Sequence, residues 1–136
     1  MSQGTALETA TVLRFDEIDW DSVKGDVDPQ SGASGELIRV AAKRGARRKR
    51  IARGQGGFFM NRSQMPAGFR VPPHSHDHAE LLVVLRGGLS FDGGTVLGPD
   101  DAIVIQAGTI YGFSCGPEGL DFLTFRLGEA KVAMRE

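Results

Sequence analysis

All three histidines of this 136-residue chain, His74, His76 and His78, lie within one short segment, and a glutamate, Glu80, follows closely. Imidazole nitrogen and carboxylate oxygen are donors that zinc, iron, nickel and manganese accept. Two histidines and one carboxylate with open positions make the non-haem iron(II) pattern. On an extended strand His74 and His76, two apart, project to the same face. His78 shares their parity and reaches the same face if the strand stays regular; next to a turn it is instead exposed. The plainer alternative for the whole cluster is a histidine-rich turn selected by composition.

The surrounding residues must hold these side chains in place. Pro72 and Pro73 break helix and carry an extended chain into the histidines, and Gly87-Gly88 reads as a turn after the LLVVLR strand. Gly68, His74, His76, Glu80 and Gly87 together fall in the pattern G-x5-H-x-H-x3-E-x6-G. This resembles the first motif of the cupin superfamily at every fixed position. The resemblance implies a small jelly-roll β-barrel in which His74, His76 and Glu80 are ligands to a divalent transition metal.

The second motif of that family is matched more loosely. GPDDAIVIQAGTIYGFSC aligns through Gly98, Ala107 and Gly108, with Gln106 where proline is usual, Cys115 where asparagine is expected and Tyr111 where the fourth ligand, a histidine, is expected. Three readings of Tyr111 stand open. A phenol ionises near pH 10 and needs a strongly Lewis-acidic metal to become a ligand. It can hydrogen-bond a bound water or substrate instead, as a catalytic group beside a two-histidine, one-carboxylate site. Or the site has degenerated and Tyr111 fills the barrel, its hydroxyl finding a local partner. Cys115, four residues on, shares the strand parity of Tyr111; it is a zinc donor or inert packing.

The order of parts resembles small single-domain cupins that cleave diketones or hydroxyketones with dioxygen. That implies iron(II) on His74, His76 and Glu80, with zinc, nickel or manganese as the other metals such sites take. Two rivals are weighed beside the dioxygenase. One is a metal-assisted isomerase or lyase acting on a small sugar acid, with Tyr111 transferring a proton at a pKa lowered by the metal or by Arg70. The other is a non-catalytic module that binds a small molecule. The fold alone cannot choose, because it hosts many chemistries.

Composition bounds the rest. The length suits one domain able to bury a core, and 16 Lys+Arg against 17 Asp+Glu leave a net charge of −1, which argues against nucleic acid as partner. A lone cysteine, Cys115, precludes an internal disulfide. No apolar window spans a membrane and no secretory signal opens the chain, so the expectation is a cytoplasmic protein. Short apolar stretches between glycines, GELIRVAAKRG, FFMNRSQ, AELLVVLRGG, LSFDGGTVLG, DAIVIQAG, IYGFSCG and LDFLTFRLG, predict strands and an all-β fold. The C-terminal GEAKVAMRE is the one helix candidate, two turns or a frayed end.

The expected division is an N-terminal arm over 1–34, a cupin barrel over 35–128 and a tail over 129–136. The arm is acidic, with Phe15, Ile18 and Trp20 as anchors along the barrel or across to a partner. The run from Lys43 to Arg53 reads as a solvated hairpin or loop, with two rivals: a nucleic-acid patch, or a partner for Asp16, Glu17, Asp19 and Asp21. By family analogy the molecule pairs as a homodimer through a sheet edge.

Overall fold

The computed structural model describes residues 9–21, 45–128 and, for the backbone alone, 132–134. Eight strands form a single sheet: β1 (Arg47–Arg53), β2 (Phe59–Met65), β3 (Arg70–His76), β4 (Glu80–Phe91), β5 (Val96–Leu97), β6 (Ala102–Ile105), β7 (Tyr111–Arg126) and β8 (Val132–Met134). All pairings are antiparallel, in the order β1-β2-β7-β3-β8, with β4 joined to β5, β6 and β7. Two short 3-10 turns are the only helical segments among the described residues. The fold is all-β and fits a jelly-roll barrel, although the ladder does not close.

Two expected breaks are absent. Gly87-Gly88 lies inside β4, a continuous twelve-residue strand, and IYGFSCG and LDFLTFRLG run together as the sixteen-residue β7. The glycines bend these strands where they pair, and the β4–β7 register shifts between Gly87 and Leu89. Gly87 has φ +72, and a Cβ there would collide with the Gly119 carbonyl; one at Gly88 would stand 2.9 Å from the Leu97 oxygen. Close backbone approach, rather than chain reversal, is what these positions require.

The C-terminal segment is also not helical where it is described. Residues 132–134 pair with β3, Val132 opposite His76 and Met134 opposite His74. A two-turn helix cannot offset its nucleation cost in water, whereas an unpaired strand edge offers ready backbone partners.

The predicted strand GELIRVAAKRG lies outside the described residues except for Gly45, as do Lys43 and Arg44. From Arg47 onward the basic run is β1 itself, not a loop. It is the seat of the arm. Arg48 and Arg50 each place Nε 3.0 Å from Asp21 Oδ2. The Asp21 amide donates to the Arg48 carbonyl. Lys49 is buried, donates to the Phe15 carbonyl at 2.8 Å and stands 3.7 Å from the Phe15 ring centre, while Arg47 lies 4.0 Å over Trp20. Asp21 and the rings of Phe15 and Trp20 thus meet the charges of Arg47, Arg48, Lys49 and Arg50 within the chain.

The core lies between the curled faces and holds Phe69, Val71, Leu82, Val84, Leu89, Phe91, Phe113, Leu120 and Phe122, with Cys115 packed among them. Arg62 and Gln64 on β2 both donate to Asp121 on β7, Arg62 through two nitrogens at 2.9 and 2.8 Å.

Candidate active site

One end of the core opens into a cavity of about 200 Å³. Its apolar floor is Phe69, Val71, Leu82, Phe113 and Phe122; its polar residues are Asn61, Ser63, Thr124 and Arg48 together with His74, His76, Glu80, Tyr111 and Arg126. Strand alternation accounts for the set. Glu80, Leu82 and Val84 point inward from β4, and Phe122, Thr124 and Arg126 from β7. The two prolines sit in a register shift of β3 between Val71 and His74, after which His74 faces Tyr111 across the ladder. Gly112 makes that approach possible, since a Cβ would stand 2.9 Å from the Pro73 nitrogen and 3.0 Å from the Val71 oxygen.

Glu80 is the hub. Its side chain is 3 % exposed. The Tyr111 hydroxyl donates to Oε1 at 2.9 Å, and Arg126 Nη2 stands 2.6 Å from Oε2 as an ion pair. The register explains the pair: Leu81 lies opposite Phe125, which sets Glu80 and Arg126 side by side on the inner face. His76 Nε2 is 3.9 Å from the same Oε2. The His74 and His76 rings meet edge to face at 5.0 Å. His74 Nδ1 lies 2.9 Å from the Pro72 carbonyl, which only accepts, so Nδ1 is the protonated nitrogen in the neutral ring's tautomer.

Burial, outweighing the attraction of Glu80, holds the His76 pKa below the usual imidazole value. For Tyr111, burial first and the Glu80 carboxylate next push the phenol well above its ordinary range. Tyr111 is therefore a protonated donor, not a phenolate. Arg70 does not lower that value, because its guanidinium is held in a two-bond fork by Asp92 at 2.6 and 2.7 Å on the surface.

The four residues singled out from the sequence as ligands and catalytic group, His74, His76, Glu80 and Tyr111, converge on this cavity. His78 does not join them. β3 ends at His76, parity is lost in the bend, and the His78 ring pairs with Asp77 at 3.0 Å, 41 % exposed. Cys115 packs near Met65, with Sγ 3.9 Å from Sδ, and does not line the cavity. Arg126 escaped the sequence reading. Its signal was the alternation Phe122, Thr124, Arg126, which carries a cation onto an inward position.

The two imidazoles are of a kind that suits a divalent metal, and the His74–Pro72 contact is the orienting bond such ligands use. Glu80 as placed does not complete the set. Tyr111 donates to Oε1, and a permanently charged guanidinium stands 2.6 Å from Oε2, which accepts no hydrogen bond. Among the described residues no three His, Cys, Asp or Glu side chains are arranged to hold a metal ion.

Residues 61–125 match the family model of the cupin domain. The whole architecture has solved counterparts. KdgF from Halomonas sp. superposes with a TM-score of 0.62 at 22% identity, over 88% of this chain and 96% of that one. A cupin-superfamily sugar phosphate isomerase from Silicibacter pomeroyi gives 0.67 at 21% identity, over 92% and 82%. The polyketide cyclase RemF from Streptomyces resistomycificus gives 0.58 at 24%, over 67% and 71%. No curated protein sequence matches the chain. The family match and the structural likeness together give the chain a cupin domain on a cupin-type fold. At these identities the likeness carries the fold and leaves the reaction to the site. No helix among the described residues is long and apolar enough to cross a membrane.

Proposed function

We propose that this protein is a small-molecule enzyme that moves a proton next to a carbonyl group, an isomerase or lyase acting on a small oxygenated substrate such as a sugar acid. The observation that carries this reading is the Tyr111–Glu80–Arg126 arrangement, with the phenol 2.9 Å and the guanidinium 2.6 Å from one buried carboxylate at the wall of a cavity. A volume of about 200 Å³ lies below the range of drug-sized pockets and selects a compact substrate. Arg126 Nε is buried without a hydrogen-bond partner, a donor left for a substrate oxygen. In the proposed reaction Glu80 takes the proton from the carbon beside the carbonyl, and the electron pair moves onto the carbonyl oxygen, where the Arg126 N–H groups stabilise it. Tyr111, held protonated, gives its proton to that oxygen and recovers one from the hydroxyl of the neighbouring carbon, which becomes the new carbonyl, while Glu80 returns its proton to the former carbonyl carbon. Loss of a group from the next carbon would give the lyase outcome instead.

The test is hydrogen–deuterium exchange at the carbon beside the carbonyl across small ketoses, aldoses and sugar acids, followed by proton NMR. Tyr111→Phe and Glu80→Gln should each slow a positive substrate by roughly 100-fold or more. Unchanged rates in both variants would refute the assignment.

A second reading is favoured by the edge-to-face imidazoles at 5.0 Å. In it His74, His76 and Glu80 hold iron, zinc, nickel or manganese, and the protein is a dioxygenase of diketones or hydroxyketones. The metal would supply Lewis acidity. Oxygen uptake with a diketone panel distinguishes it. Under either reading we take the chain as a cytoplasmic homodimer with an arm over 1–34 and a barrel over 35–128.

A further inference from the structure

We propose that Arg126 occupies the place of a metal in this cupin: its guanidinium is the resident counter-charge of Glu80, and a divalent cation binds only by displacing it. The argument is geometric. A carboxylate ligand must meet the metal without a competing cation, and Glu80 already has one: Tyr111 donates to Oε1, and Arg126 stands 2.6 Å from Oε2 as an ion pair, although Oε2 accepts no hydrogen bond. A divalent ion on the same carboxylate would sit beside a guanidinium, two cations on one anion in a cavity wall where solvent screens poorly. Lysine in this position could lose its proton and make room; arginine keeps its charge at every accessible pH. The side chain is already inside the wall, 12 % exposed, on the last residue of β7, whose backbone pairs with Phe59 at the end of the β2–β7 ladder. The remaining donors are two neutral-capable imidazoles, and two are too few for the closed tetrahedral or facial sites that hold these metals tightly.

This inference does not depend on the proposed reaction, and its test needs no substrate. Cobalt(II) chloride is titrated into the full chain, with calorimetry and the visible ligand-field bands of cobalt as readouts. The wild-type protein should show no saturable binding below about 100 µM, a Kd weaker than that of ordinary functional metal sites. Arg126→Met should gain one cobalt site with a Kd at least tenfold tighter. Arg126→Gln keeps an N–H donor for Glu80 without the charge and guards against misfolding of the first variant; it should gain the same site. Adding His74→Ala to either should abolish it. A wild-type protein that binds one equivalent of cobalt with the Arg126 variants' affinity would overturn the proposal. So would folded variants that gain nothing. Paramagnetic broadening of the His74 ring signals in the wild type at equimolar cobalt, read by NMR, would overturn it without any variant.

Discussion

Tyr111 is the only tyrosine in the chain, so its ionisation can be read directly. Its pKa is raised by burial and by Glu80, and the sign of the consequence follows from linkage. The folded state holds the phenol proton more tightly than the unfolded chain. The stabilisation is complete below the unfolded value of about 10 and is lost as pH rises beyond it. In an alkaline titration, tyrosinate absorbance should therefore appear together with loss of the fold; its appearance near pH 10 in a still-folded protein would contradict the Glu80 contact. Tyr111→Phe removes one hydrogen bond to a buried, charged acceptor and should lower stability by about 1.5–3 kcal/mol, seen as a lower urea midpoint at unchanged slope. His74, His76 and Glu80 were legible as a group because their spacing is local. Arg126 was not, because its relation to Glu80 arises from the pairing of strands far apart in sequence.

At the scale of elements, β4 and β7 depend on their glycines. Gly87→Ala places a side chain at positive φ against the Gly119 carbonyl, and should destabilise the protein by at least about 2 kcal/mol in chemical denaturation. The arm offers a second test. Trp20 is the only tryptophan, and it packs against Phe15 at 5.7 Å and under Arg47. Asp21→Asn removes the carboxylate that Arg48 and Arg50 share, so Trp20 fluorescence should become more accessible to acrylamide while the barrel stays folded. Strand content was readable from the alternation of apolar and polar residues, but the bounds were not. Glycine signals both a turn and a close backbone crossing, and only the partner strand tells them apart.

For the whole molecule, the candidate site lies at one end of the core, and the outer surface carries exposed apolar residues. Leu81 on β4 and Val104 on β6 lie opposite each other, 37 % and 62 % exposed, and among the described residues β6 pairs only with β4. The proposed homodimer would cover this patch. Light scattering should then give twice the chain mass, and Val104→Arg should return it to one chain; a monomeric wild type would remove the proposal.

The sequence by itself determined the all-β class, the cupin motif and the gathering of His74, His76 and Glu80, because each rests on short-range patterns: glycine and proline punctuation, two-residue alternation, and ligand types at fixed spacing. The tertiary structure decided what those groups face. The β4–β7 register sets Arg126 on Glu80, the β3–β7 register sets Tyr111 beside His74, and the arm seats itself on a basic strand. Such contacts depend on which strands pair and in which register. That is settled by burial of the whole core rather than by any local run of residues.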